Sequence, residues 1–119
     1  MAYDVADRYV LLFGGYNHTS FLGDTWEFKA GSWTQLSPSV SPPPRQYASM
    51  TYDAADGYVL LFGGGNSGGL LSDTWEFKAG TWTQLSPAIS PSPRITPSMA
   101  YDPADGYVLL FGGTSVGRI

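Results

Sequence analysis

The run YVLLFGG occurs three times, at residues 9–15, 58–64 and 107–113, at a spacing of 49 residues. A chain that returns to the same run at a fixed interval builds one supersecondary unit and stacks copies of it. Residues 1–49 align without a gap on 50–98 with 33 identities in 49, and residues 99–113 match 50–64 at 13 of 15. The fold therefore follows from what one period forms and from how neighbouring periods pack.

A period of this length falls in the range of propeller blades. Within it, short segments are separated by turn residues, and no apolar stripe with helical spacing is long enough for a helix. The unit reads as four strands. Strand A is Tyr47 to Asp53, B is Tyr58 to Phe62, C is Asp73 to Lys78 and D is Thr81 to Leu85. Strand B is apolar on both faces, Tyr58, Leu60 and Phe62 on one and Val59 and Leu61 on the other, so it is expected to be central and buried on both sides. In strand C, Trp75 and Phe77 share a face opposite Thr74 and Glu76.

Asp56-Gly57 and Asp105-Gly106 suit a type I turn followed by a left-handed residue, which closes an A–B hairpin. Arg8 holds that slot in the first copy, at an expected cost of about 1 kcal/mol if the turn is kept. Lys78-Ala79-Gly80 makes the tight C–D turn. The B–C and D–A connections are longer and share the opposite end of the blade.

A strand of four hydrophobic residues ending in Gly-Gly, then an aromatic strand, then a strand with Trp resembles the kelch repeat of β-propellers. The residues carrying it are Leu60, Leu61, Phe62, Gly63, Gly64, Phe77 and Trp82, with Leu11, Leu12, Phe13, Gly14, Gly15, Phe28 and Trp33 in the first copy. Phe28 and Phe77 stand where that family usually has Tyr. The resemblance implies an all-β fold of four-stranded antiparallel blades, with A innermost beside a channel and D outermost. It also implies closure with about six or seven blades, inside the usual range for propellers.

This chain supplies an incomplete propeller, expected as blade 1 over 1–37, linker 38–45, blade 2 over 46–86, linker 87–94, a half blade over 95–113 and a tail 114–119. Met1 aligns with Met50 and Met99 inside a repeated strand, the pattern of a cut within a longer protein. Taken as the unit, such a piece exposes the flanks of its end blades and leaves the strand Tyr107, Val108, Leu109, Leu110 and Phe111 with an unpaired edge. Self-association is the expectation, through an isologous two-fold joining of two such edges or through strand exchange in a larger ring.

Composition removes several alternatives. Ten acids against six bases give a net charge of −4, with no basic run to neutralise successive phosphates, which argues against nucleic acid. With no cysteine there is no disulfide, thiolate nucleophile or Cys-ligated metal, and the copper chemistry of one kelch oxidase is excluded. No apolar stretch approaches the roughly 20 residues that span a bilayer, and MAYDVADRY lacks a signal-peptide layout. The compartment stays open, the extracellular side and cell surface included.

The long-connection end, which kelch-like propellers use for binding, carries the candidate ligand residues Tyr16, Asn17, His18, Asn66, Arg45 and Arg94, with Ser67 beside them. Arg45 and Arg94 follow proline-rich runs and enter strand A near the channel mouth, where a guanidinium fork can hold a carboxylate or sugar acid. The commoner alternative is that each bonds loop carbonyls of its own or the next blade.

Other features have structural readings. Six of the ten acids, Asp4, Asp7, Asp53, Asp56, Asp102 and Asp105, lie in the A–B turns, where capping is favoured over calcium binding. Glu27 and Glu76 repeat as a ladder, unlike the facing carboxylates of a glycosidase. His18, the single histidine, supports neither a zinc site nor a triad. The Asn17-His18-Thr19 sequon is not kept at Asn66, and Pro42-Pro43-Pro44 reads as a stiff spacer. The four tryptophans recur at blade positions, as core and inter-blade packing does.

No cluster of catalytic types breaks the repeat symmetry, and no cofactor or metal is implied. The leading expectation is a non-catalytic structural or interaction module that assembles as a homo-oligomer. The second is a carbohydrate-binding or sugar-modifying propeller built on Arg45, Arg94, Asn17 and Asn66, and a protein or glycan ligand fits that surface. The third is an engineered or evolutionary fragment with no function beyond folding.

Overall fold

The computed structural model describes residues 1–115, so the tail expected over 114–119 lies outside the described residues from position 116 onward. Among the described residues there is no helix, and hence none long and apolar enough to cross a membrane. The first period forms an antiparallel sheet of β1 (Ala2–Asp4), β2 (Tyr9–Tyr16), β3 (Phe21–Lys29) and β4 (Ser32–Leu36), in that order. The second comprises β5 (Ser49–Asp53), β6 (Tyr58–Phe62), β7 (Gly65–Asn66), β8 (Gly69–Leu70), β9 (Thr74–Lys78) and β10 (Thr81–Leu85). Its main sheet runs β5-β6-β9-β10, and β7 and β8 pair as a small hairpin between β6 and β9. The third holds β11 (Ser98–Asp102) and β12 (Tyr107–Phe111), which pair with each other and with no other strand among the described residues.

Each A–B turn is built the same way. Asp4, Asp53 and Asp102 each accept two backbone N–H bonds on Oδ1, at 3.0–3.2 Å, from the residues two and three positions on. The left-handed slot has φ of 76° at Gly57, 73° at Gly106 and 61° at Arg8, so the first copy keeps the turn despite its side chain. The C–D turns place both central residues at positive φ, 50° and 82° for Ala30-Gly31 and 51° and 80° for Ala79-Gly80. That is the primed turn whose twist matches a two-residue hairpin.

The longer B–C connections are ordered hairpins. In the first period β2 and β3 continue through an irregularity between Phe13 and Gly15 to pair Tyr16 with Phe21. Those two rings lie 4.8 Å apart, an aromatic cross-strand pair that extends the ladder. The second period has Gly65 and Leu70 at the matching positions, and its excursion separates as β7–β8.

The core lies mostly between the first two sheets. Tyr9 and Leu11 from β2 meet Val59, Leu61, Trp75, Phe77 and Trp82 of the second sheet. Trp82, 1% exposed, packs on Phe13 at 5.3 Å and on Phe77 at 5.0 Å, while its indole N–H donates to Thr25 Oγ1 at 3.0 Å. The strands nearest the inner edge, β1, β5 and β11, stand side by side in that order.

Candidate functional site

The Gly-Gly pairs and the arginines form a joint between successive sheets. At Gly14 and Gly63, φ is 77° and 75°, and an added Cβ would lie 2.6 Å and 2.7 Å from the carbonyl oxygens of Arg45 and Arg94. Only a residue without a side chain allows that approach. The next amides, Gly15 and Gly64, donate to those same carbonyls at 2.8 Å and 2.9 Å. The backbone of each arginine is thus fastened to the sheet that precedes it.

The arginine side chain reaches the other way. Arg45 is 1% exposed. Its Nε donates to Pro43 O at 3.0 Å and its Nη1 to Gly63 O at 3.0 Å, and its fork closes on Asp73 through Nη1–Oδ1 at 2.6 Å and Nη2–Oδ2 at 2.7 Å. A guanidinium has five N–H donors, and this geometry commits four of them. The side chain expected to present a fork at the channel mouth is instead enclosed as a clasp between sheets. Its bonds to Pro43 and Gly63 are the loop-carbonyl alternative, and the carboxylate partner is an addition to it.

Asp73 also accepts the indole N–H of Trp75 at 2.8 Å. Burial pushes its carboxyl upward, but the Arg45 and Trp75 hydrogen bonds and the Arg45 charge outweigh that and hold it below the ordinary value. Nothing local in the sequence marks this pairing, since 28 positions separate the partners. The available signal was the repeat itself, because Arg45 and Asp73 both recur at the common period, as Arg94 and Asp24.

Arg94 donates to Gly112 O at 3.1 Å, the counterpart of Gly63 O, and its other bonds go to Ser92 O and Ser92 Oγ, both at 3.0 Å. No carboxylate meets it among the described residues. Asp24, the counterpart of Asp73, binds Trp26 Nε1 at 2.7 Å and meets no arginine among the described residues.

Two hollows open at the long-connection end. One of about 500 Å³ lies between the two hairpins and is lined by Tyr16, Phe21, Pro44 and Asn66 among others. The second, about 420 Å³, is lined by Phe21, Tyr47, Asn66, Leu70 and Ile95 among others. Tyr16 and Asn66 of the expected set therefore come together, and His18 stacks edge-on against Tyr16 at 5.8 Å. Asn17 is occupied in its turn, accepting from the Thr19 and Ser20 amides, and Asn66 ties to Pro44 O and the Gly68 amide. Neither arginine lines either hollow. Tyr47, expected as the first residue of strand A, instead precedes β5, which begins at Ser49, and lines the second hollow at φ 62°, a value matched by 52° at Thr96 one period on.

The KLHDC2/KLHL20/DRC7 Kelch-repeats domain family matches residues 1–119. The chain belongs to the kelch-repeat family. A comparison with curated proteins finds none that matches. Kelch-repeat domains generally serve as interaction modules without catalytic activity.

Within this kelch chain, apolar side chains are exposed together on the outer faces at the two ends of the blade stack. On the outer face of the first blade Trp33 is 49% exposed and stacks on Phe28 at 5.0 Å, beside an apolar hollow of about 360 Å³ lined by Leu12, Trp26 and Trp33. On the outer face of the half blade Tyr107, Leu109 and Phe111 are 49%, 59% and 80% exposed. The counterparts of these residues inside the stack, Trp82, Phe77 and Leu11, are nearly inaccessible.

Proposed function

We propose that this kelch-repeat chain is an interaction module that self-associates, so that the open blade faces and the unpaired edge of Tyr107, Val108, Leu109, Leu110 and Phe111 become covered. The observation that carries the reading is the contrast between equivalent positions. Trp82 is 1% exposed and Trp33 49%, at the same position of two repeats. Burying a large apolar side chain contributes about 1.5–3 kcal/mol, so several such residues left bare on two faces favour association.

Mass in solution across a concentration series, by sedimentation or light scattering, tests it. Dimers or larger species that dissociate on dilution are expected. A folded species that stays monomeric at the highest concentrations would overturn the reading.

The carbohydrate reading draws no support from Arg45, whose donors are committed within the protein.

A further inference from the structure

We infer that the association is head to tail, with the outer face of β12 in one copy docking on the outer face of the first blade in a second copy, Phe111 against Trp33. This rests on the self-association reading and specifies its contact.

The template lies inside the chain. Where the first blade meets the second, β2 presents Tyr9, Leu11 and Phe13, and the second blade presents Val59, Leu61, Phe77 and Trp82. The half blade offers the first set again as Tyr107, Leu109 and Phe111, and the first blade offers the second set again as Val10, Leu12, Phe28 and Trp33. Each set is held at one end of the stack with no blade against it among the described residues, and each already has a demonstrated fit to the other. Phe13 meets Trp82 edge-on, at 5.3 Å and 65° between planes, and Phe111 meets Trp33 in the same way when the contact is repeated between copies.

Two like faces fit less well. Trp33 against a second Trp33 would set bulky rings on bulky rings, whereas the internal joint sets tryptophan on the smaller rings and aliphatics of its neighbour. The contact is thus heterologous, and such contacts close into rings when the rotation permits. Two copies joined at both ends supply six blade positions, four of them four-stranded and two of them two-stranded.

A complementation experiment on the full 119-residue chain tests the contact. Trp33→Asp blocks one face and Phe111→Asp the other, and both positions are exposed enough in the single chain for the fold to survive, as circular dichroism verifies. Leu109→Asp, at 59% exposure, serves in place of Phe111→Asp if that variant unfolds. Each variant alone should associate at least about thirtyfold more weakly than the wild type, as expected for a central aromatic anchor. Mixed one to one, they should form a complex, because one good pair of faces remains between them.

Wild-type-like association of Trp33→Asp alone would overturn the inference in favour of edge-to-edge pairing of β12. A mixture that stays monomeric while the wild type associates would overturn it too. A wild type that is itself monomeric overturns the self-association reading, a separate outcome.

Discussion

Trp33 and Trp82 are the same residue at the same point of the repeat, and they differ in surroundings. Trp82 fills the space between Phe13, Phe77 and Thr25, while Trp33 rests on Phe28 with its other side bare. Truncating a buried tryptophan removes its transfer energy and leaves a cavity, so Trp82→Ala is expected to cost about 3–5 kcal/mol. Trp33→Ala should cost below about 1 kcal/mol in dilute solution, since the side chain is 49% exposed. Urea unfolding of the two variants measures the difference, and equal losses would contradict the packing described. Asp73 gives a second residue-scale expectation. Its folded carboxyl titrates below the ordinary 3.8, so its stabilisation is present above that value and is lost as pH falls through the lower, folded one. Asp53, which burial pushes upward, works in the opposite sense. Asp73→Asn should therefore melt lower near neutrality, yet lose less of its Tm than the wild type between about pH 5 and about pH 2. Thermal melts at both ends of that range check it, and parallel losses would count against the ion pair.

At the scale of the strand and turn, the first A–B hairpin holds a non-glycine residue in a left-handed slot. Arg8 sits at φ 61° where the other two copies have Gly57 and Gly106. Arg8→Gly should raise stability by about 1 kcal/mol, because the turn already exists and only the steric penalty is removed. A denaturation midpoint that is unchanged or lowered would show that the arginine side chain contributes something in compensation. The strands themselves were legible in the sequence because their patterns are local: alternation in DTWEFK, a doubly apolar YVLLF, Asp and Gly at the turns. The hairpin character of the B–C connections was less so. It depends on Tyr16 meeting Phe21 across a bulge, and a stretch with glycines, Asn and Ser around it reads as loop.

Across the described residues, the side-by-side order of β1, β5 and β11 follows from the period alone. The candidate ligand set fared differently, since a side chain's role depends on what the neighbouring blade offers it. Arg45 looked available because its nearest neighbours in sequence are prolines, and it is enclosed because Asp73 and Gly63 of the next blade receive it. Tyr16 and Asn66 come together across two hairpins that are adjacent only after folding.

The clasp at Arg45 has a consequence for how arrays of this kind change length. Its backbone belongs to one blade and its guanidinium to the next, so the fastening straddles any cut made between units. A segment of 49 residues brings one clasp arginine, Arg45 or Arg94, and one clasp aspartate, Asp24 or Asp73, wherever the cut is made. Gaining or losing a whole unit therefore leaves every interior fastening paired and creates no orphaned charge. Unequal recombination between copies can lengthen or shorten the array without any compensating substitution at the seams.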